Sequence, residues 1–185
     1  MEIIKLKLDG AFLIKPTKFD DERGFFSRIF CVNELSEINL DTKISQINNS
    51  FSKKKRTLRG MHVQIPPNSE TKIVRCIKGE VYDVIIDLRQ SSTSFGKWEA
   101  VTLSENNRYS VYIPKGFGHG FMTLKDNTEM IYSSSEFYTP EKEVVINWAD
   151  SFLSIDWPFT PNVLSLKDSS APFIKNIGYF AEIIK

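Results

Sequence analysis

The sequence predicts an all-β protein, built as a sandwich or a barrel with only short helices. Runs rich in β-branched and aromatic residues are typical of strands, and here they recur at the spacing of about 8–12 residues that sandwiches and barrels show. Clusters of glycine, asparagine and proline between the runs indicate turns. The predicted strands are residues 11–16, 24–31, 43–48, 72–77, 81–88, 97–103, 109–113, 120–124 and 128–134.

Local signals add detail to this pattern. The Lys78-Gly79 step between two β-rich runs predicts a hairpin. Helical signals are limited to a turn or two at residues 33–39 and to the tail 172–185, where apolar residues recur at nearly helical spacing. No internal repeat or linker interrupts the chain, so we expect a single domain over residues 1–185.

Length and charge limit the kinds of partner. A chain of 185 residues suits one domain with its own core. Lys and Arg total 24 and Asp and Glu total 23, and this balance argues against a general nucleic-acid-binding surface or a polybasic membrane anchor. The N-terminus lacks the apolar segment of a signal peptide, and no run of about 18 apolar residues occurs, so we expect a cytoplasmic protein without a membrane span.

Cysteines and lysines give weaker indications. Cys31 and Cys76 lie in apolar contexts and form no C-x-x-C pair, which predicts two buried, reduced thiols rather than a zinc or redox site. The basic run at residues 52–56 is either a solvated hairpin tip or a rim that attracts phosphate groups.

The two histidines, His62 and His119, are the main candidates for chemistry, since each lies close to glycine in a β-rich context. Strand alternation would place His62 and Arg59 on opposite faces. A neutral imidazole suits proton abstraction at neutral pH, although a histidine in a strand is also commonly a hydrogen-bonded structural residue. A base would need a carboxylate partner, a cation such as Lys72 beside the developing oxyanion, and an acid across the substrate.

A metal site is the alternative use of these histidines. Residues 114–119 fit the second half of the cupin signature, P-x-G-x-x-H, but the first half, normally H-x-H, reads His62-Val63-Gln64. Two histidines cannot supply three imidazole ligands, and a site of two histidines and one carboxylate is the remaining option. The sequence therefore favours a cupin barrel without a metal.

A series of further motifs follows in order along the chain, at residues 21–26, 46–52, 58–67, 72–75, 79–84, 113–121, 137–143, 148–150, 155–158 and 165–168. Together they resemble the family of dTDP-4-dehydrorhamnose 3,5-epimerases over about residues 10–172. The resemblance implies a cupin-type jelly-roll barrel with short peripheral helices and with no cofactor or metal. It also implies a nucleotide-linked 4-keto-6-deoxyhexose as substrate, in surface-polysaccharide or deoxysugar synthesis, and a homodimer with an exchanged N-terminal strand.

The resemblance further assigns roles by motif match. His62 would be the base that removes a proton next to the C4 ketone, and Asp168 would orient it. Lys72 would stabilise the enolate oxygen, and Tyr132 would be the acid on the opposite face, with Tyr138 as an alternative acid or a stacking residue. The implied substrate-binding residues are Arg23, Gln46, Asn48, Arg59, His119 and Lys167.

Departures from the family pattern bear on the substrate. Arg28 stands where the family usually carries a glutamate that faces the nucleotide, and this reverses a charge expected in the binding cleft. Val63 replaces an aromatic residue, and residues 143–147 lack a glycine. A CDP-linked sugar, or inversion at C3 or C5 alone, is therefore an alternative. A 3,4-ketoisomerase and a non-catalytic sugar-binding cupin are the others.

Overall fold

The computed structural model describes residues 1–174, and its regular structure is almost entirely β, which confirms the predicted fold class. The helices are α1 (Val32–Ser36), a 3-10 turn (Pro140–Lys142) and α2 (Leu166–Ser169). In this part of the chain no helix is long and apolar enough to cross a membrane. The strands are β1 (Glu2–Lys5), β2 (Phe12–Lys15), β3 (Lys18–Asp21), β4 (Gly24–Ser27), β5 (Gln46–Ser52), β6 (Leu58–Gln64), β7 (Lys72–Lys78), β8 (Glu80–Asp87), β9 (Trp98–Ser104), β10 (Ser110–Ile113), β11 (Phe117–Thr123), β12 (Thr128–Ser134) and β13 (Glu143–Val145).

The strands form two large antiparallel sheets that enclose the main core. One sheet has the order β1-β2-β10-β7-β12-β5, and the other has the order β13-β6-β11-β8-β9. Inward-facing residues of both sheets make one apolar cluster, with Val74 and Met130 from the first and Ile85 and Phe121 from the second. β3 and β4 pair only with each other and form a separate hairpin. Burial between two sheets explains why alternating β-rich runs predicted this fold.

The predicted hairpin at Lys78-Gly79 is wrong. β7 belongs to the six-stranded sheet and β8 to the five-stranded sheet, so the chain crosses between sheets at this step. Gly79 has φ +77°, and a Cβ there would lie 2.5 Å from Thr128 Oγ1. The glycine therefore serves a corner between sheets, which local sequence does not distinguish from a two-residue hairpin.

Other boundaries differ from the prediction near the N-terminus. The predicted strand at residues 24–31 ends at Ser27, and the predicted strand at residues 43–48 becomes β5, which begins at Gln46. β1, β3 and β13 were not predicted, because runs of only three or four residues give little signal in the sequence. The predicted helical tail lies, from residue 175 onward, outside the described residues.

The cysteines and the basic run have ordinary structural positions. Cys31 and Cys76 are both free, as predicted, but only Cys76 is buried, and the predicted burial of Cys31 is wrong because its side chain is partly exposed. Burial raises the pKa of the Cys76 thiol to about 11. The basic run forms the connection from β5 to β6, where Lys55 and Arg56 lie 4.7 and 4.6 Å from the centre of the Phe159 ring.

Glycines allow β6 and β11 to approach closely at the centre of the five-stranded sheet. A Cβ on Gly60 would lie 2.5 Å from Gly120 Cα and 2.8 Å from the carbonyl oxygen of His119. Gly60 also has φ +117°, which side chains other than glycine rarely adopt. Because His62 and His119 are direct cross-strand partners, this close approach places the two imidazoles together.

Replacing Gly60 with alanine is expected to lower the free energy of unfolding by roughly 2–4 kcal/mol, since overpacking adds to backbone strain. Gly24 provides a matched control, because its φ is +125° but no atom lies within 4 Å of an added Cβ. Gly24→Ala should cost only the strain, about 1–2 kcal/mol. Urea unfolding measures both losses, and equal losses would contradict the packing role of Gly60.

Candidate active site

A cavity of about 450 Å³ opens between the two sheets. One wall carries His62 and His119 from the five-stranded sheet, with Asp168 of α2 beside them. The facing wall carries Lys72 and Tyr132 from the six-stranded sheet. A second cavity of about 390 Å³ adjoins it, since His62, Lys72 and Tyr132 line both.

Strand register builds the wall of the six-stranded sheet. Tyr132 of β12 pairs with Asn48 of β5, and Ser134 pairs with Gln46 on one side and Lys72 on the other. Residues two apart on a strand share a face, so these side chains all point to the same side. The structure therefore brings together five of the residues predicted for the site, including His62 across the cavity.

Arg59 lies in the same cavity as His62, and the prediction that the two face opposite sides is wrong. His119 pairs with His62, and Phe121 pairs with Arg59. An interval of three residues on β6 therefore lies opposite an interval of two residues on β11. This irregularity acts as a β-bulge, which redirects the side chains beyond it. The guanidinium of Arg59 donates to Ser52 Oγ at 3.4 Å and to the carbonyl of Phe51 at 3.1 Å.

His62 and Asp168 form a hydrogen-bonded pair, with 2.6 Å between His62 Nε2 and Asp168 Oδ1. Burial alone would raise the pKa of Asp168, but interactions with His62, Ser165 and the Gly60 backbone outweigh it and hold the pKa below its ordinary value. An ionised carboxylate only accepts hydrogen bonds, so Nε2 of His62 carries a hydrogen and donates the hydrogen bond to Asp168. The lone pair of the neutral imidazole is therefore on Nδ1.

A second carboxylate, Glu143 of β13, lies on the other side of the imidazole. Its Oε1 is 3.5 Å from His62 Nδ1, and its side chain is 9% exposed. The other oxygen accepts from Tyr138 Oη at 2.8 Å and pairs with Lys167 Nζ. Glu143 was not predicted as a site residue. Its place in the motif at residues 137–143 was the available signal, but only the fold shows that it faces His62.

Lys167 is not among the residues that line the two cavities, but it lies beside Tyr138 and Glu143, which line the second cavity. Tyr138 lines that cavity and is 53% exposed, and its backbone N–H donates to Gln46 Oε1 at 2.8 Å. The side chain of Lys167 is 48% exposed and lies 6.0 Å from the centre of the Tyr138 ring. An exposed aromatic face next to an ammonium group is suited to a planar, anionic ligand.

His119 and Lys72 each have a carboxylate partner that the sequence reasoning did not assign to them. Nε2 of His119 lies 2.8 Å from Oδ2 of the fully buried Asp83. Nζ of Lys72 lies 2.8 Å from Oε1 of Glu70. Asp83 lies in the motif at residues 79–84 and Glu70 lies two residues before Lys72, but only the tertiary structure shows which side chains they pair with.

Arg23 and Arg28 are not brought to the cavities. Within residues 1–174, neither lines the two cavities of this chain, so the binding role of Arg28 stays a prediction. β4 ends at Ser27, just before Arg28, whose guanidinium pairs instead with Glu34 of α1 at 2.7 Å. Arg23 lies on the exposed β3–β4 hairpin, at the surface of this chain.

The lowered pKa of Asp168 predicts a specific acid dependence of stability. A carboxyl group with a depressed pKa stabilises the fold above its ordinary value, here 3.8, and this contribution is lost as the pH falls through the lower folded value. At pH 6 we expect wild type to exceed Asp168→Asn by about 1–3 kcal/mol in free energy of unfolding. Urea unfolding from pH 6 to pH 3 should show this gap narrowing, whereas a constant gap would contradict the assignment.

The fold is a cupin-like barrel, and the cavity between its two sheets carries acid and base groups on facing walls. The model of the family "dTDP-4-dehydrorhamnose 3,5-epimerase" matches residues 5–176. The dTDP-4-dehydrorhamnose 3,5-epimerase of Shigella flexneri is 39% identical over 97% of this chain and 99% of its own length.

Solved structures agree with this match. The crystal structure of dTDP-4-dehydrorhamnose 3,5-epimerase from Elizabethkingia anophelis aligns with a TM-score of 0.90 and 38% identity, covering 95% of this chain and 97% of that one. The dTDP-6-deoxy-D-glucose-3,5-epimerase of Legionella pneumophila, solved with dTDP-4-keto-L-rhamnose, aligns with a TM-score of 0.89 and 37% identity, covering 99% and 96%. The chain belongs to the dTDP-4-dehydrorhamnose 3,5-epimerase family, and it is an isomerase of the epimerase class.

Proposed function

We propose that the protein converts a dTDP-linked 4-keto-6-deoxyhexose to its epimer by inverting C3 and C5. The observation that carries this proposal is the placement of the His62–Asp168 pair and Tyr132 on facing walls of one cavity, with Lys72 beside Tyr132. Inversion needs a base on one face of the sugar and an acid on the other. The names of the relatives and the ligand of the Legionella structure support the dTDP sugar.

The proposed reaction starts at His62. Hydrogens at C3 and C5 are acidic because both carbons flank the C4 ketone. Nδ1 of His62 takes one of these protons, the electrons of the C–H bond move to the ketone oxygen, and an enolate forms. Asp168 stabilises the resulting imidazolium through Nε2, and Glu143 faces the newly protonated Nδ1. The chemistry calls on no metal or cofactor.

Other residues of the same cavity supply the groups for the second half of the reaction. The ammonium of Lys72 and the guanidinium of Arg59 face the same cavity and can stabilise the enolate oxygen. The enolate electrons return to re-form the ketone as Tyr132 donates its phenolic proton to the opposite face of the carbon, and the carbon inverts. His62 is left protonated and Tyr132 ionised, and proton exchange with solvent water restores both groups. Burial, followed by the charge of Glu70, raises the pKa of Tyr132 against the opposing effect of Arg59, and this keeps the phenol in its acid form.

The second cavity is proposed to hold the nucleotide. Gln46 and Asn48 offer amide groups on its wall, Tyr138 offers a ring for base stacking, and Lys167 offers a cation for the diphosphate. His119 lies on the wall of the first cavity, next to His62, and would contact the sugar.

Product analysis tests this function. Incubation with dTDP-4-keto-6-deoxyglucose should yield, by NMR, a product inverted at both C3 and C5, and the CDP-linked counterpart should react at least about tenfold more slowly. Inversion at one centre only would restrict the proposal to a single-centre epimerase. Faster conversion of the CDP sugar would overturn the nucleotide assignment.

We further propose a cytoplasmic homodimer in which the β3–β4 hairpin reaches the neighbouring protomer. Phe19 and Phe26 on the hairpin are 63% and 67% exposed, and Ile47 on the outer face of β5 is 64% exposed. Exposed apolar surface of this kind is typical of an interface. Arg23 would then contribute to the partner's cavity rather than to its own. The two free thiols suit the reducing cytoplasm.

Complementation tests the exchanged hairpin. Arg23→Ala and His62→Asn should each have low activity, because each removes a group from every site of a homodimer. Unfolding and refolding the two variants together should restore activity, since a mixed dimer has one site with both native residues. The same treatment of either variant alone is the control, and a mixture no more active than the two variants separately would contradict the exchange.

A further inference from the structure

The carboxylate of Glu70 takes no direct part in the proton transfers proposed for the reaction, yet it lies in the wall of the second cavity. Its Oε1 is 2.8 Å from Lys72 Nζ, and its Oε2 accepts a hydrogen bond from Ser134 Oγ. The side chains of Glu70 and Lys72 are only 11% and 15% exposed. Withdrawing two charges from water carries a large desolvation cost, so the pair requires good geometry and further hydrogen bonds, which Ser134 provides.

Backbone contacts fix the position of this carboxylate. The N–H of Thr71 donates to Ser135 Oγ at 2.8 Å, and the N–H of Ser135 donates to the carbonyl of Thr71 at 2.9 Å. Lys72 lies directly opposite Ser134 in the register of β7 and β12. The side chain of Glu70 therefore links the two strands that form this wall of the cavity.

We propose that Glu70 is a positioning residue for epimerisation, which holds the Lys72 ammonium where the ketone oxygen of the substrate becomes an enolate. The proposal rests on the function proposed above. A lysine side chain has a flexible stem of four carbons, so an unrestrained ammonium samples many positions. One N–H bound to Glu70 fixes the nitrogen and leaves two N–H donors for the substrate.

The negative charge of Glu70 has a second consequence, for Tyr132. It acts together with burial to raise the pKa of the phenol, while Arg59 acts in the opposite sense. Removing the charge should therefore allow Tyr132 to ionise at a lower pH. The other charged or titratable groups that line the two cavities around Lys72 and Tyr132 are His62, His119, Tyr138, Glu143 and Asp168.

Two variants separate the two effects of Glu70, which are the positioning of the Lys72 ammonium and the negative charge near Tyr132. Glu70→Ala removes both, and we expect kcat for epimerisation to fall by roughly 10- to 100-fold with a change in KM below about threefold, since displacement of a catalytic group by about 1 Å has effects of this size. Glu70→Gln keeps an oxygen acceptor for Lys72 but removes the charge. It should recover kcat to within about fivefold of wild type near neutral pH, and the alkaline limb of its kcat–pH profile should move to lower pH.

A double-mutant cycle shows whether Glu70 acts through Lys72. In a Lys72→Ala background, Glu70→Ala should cost less than about threefold in kcat, because there is no ammonium left to position. Glu80→Gln is the matched control, since Glu80 pairs with Lys125 at 3.3 Å outside the two cavities. Its kcat and pH profile should equal those of wild type.

The outcomes separate this inference from the proposed function. Wild-type enzyme that fails to epimerise the dTDP sugar overturns the proposed function, and the role of Glu70 with it. If wild type is active and Glu70→Ala has the same kcat and pH profile, the role of Glu70 alone is overturned. It is also overturned if the losses of kcat in Glu70→Ala and Lys72→Ala combine fully in the double variant. If Glu70→Ala does not fold, Glu70→Asp decides, because it keeps the charge but withdraws the carboxylate from Lys72. A kcat equal to that of wild type in Glu70→Asp contradicts the inference.

Discussion

Replacing His62 with asparagine is expected to lower kcat for epimerisation by a factor on the order of 10³, since loss of a general base typically costs between about 10² and 10⁴. Asparagine has no basic nitrogen to take the proton from C3 or C5. The steady-state rate with dTDP-4-keto-6-deoxyglucose measures the loss.

Two controls define what the His62 result means. Binding of dTDP should change by less than about threefold, because the nucleotide is assigned to residues of the second cavity, such as Gln46 and Tyr138. The thermal unfolding curve should remain cooperative, which shows that the variant is folded. Turnover at the wild-type rate in a folded variant would place the base elsewhere.

The second large effect is expected for Tyr132→Phe, which should separate proton removal from inversion. Without an acid on the opposite face, His62 can only return a proton to the face from which it removed one. In D₂O we therefore expect deuterium to enter C3 or C5 with retained configuration, while the rate of epimer formation falls by a factor of about 10² or more.

Tyr138→Phe is the matched comparison for Tyr132→Phe, because Tyr138 is the other tyrosine in the lining of the second cavity. Its hydroxyl donates to Glu143 at 2.8 Å, whereas Tyr132 faces the cavity shared with His62. We expect Tyr138→Phe to weaken substrate binding more than it affects inversion. If Tyr138→Phe blocked inversion and Tyr132→Phe did not, the acid would be Tyr138.

Most of the fold could be predicted from local patterns. Alternating β-rich runs gave β8, β9 and β12 within a residue or two, because half-buried strands carry this signature in any sheet. The corner at Gly79 could not be predicted, since sheet membership depends on partners far along the chain. The bulge that brings Arg59 beside His62 was missed for the same reason, because it exists only in the pairing of β6 with β11.

The site was predictable where motifs matched, and less so where charges pair across the fold. His62, Lys72 and Tyr132 were predicted, and they lie on walls of one cavity. Glu70 and Glu143 were missed because their meaning comes from contacts rather than from spacing. Glu143 of β13 contacts His62 although it lies 81 residues further along the chain. No pattern within a single strand reports such an encounter.

The measurement that tests the central claim most directly is exchange of the substrate hydrogens H3 and H5 in D₂O. Wild-type protein mixed with dTDP-4-keto-6-deoxyglucose should replace both hydrogens with deuterium, followed by NMR, and His62→Asn should slow the exchange by a factor on the order of 10³. No exchange by folded wild-type protein that binds this sugar nucleotide would contradict enolate formation in the cavity.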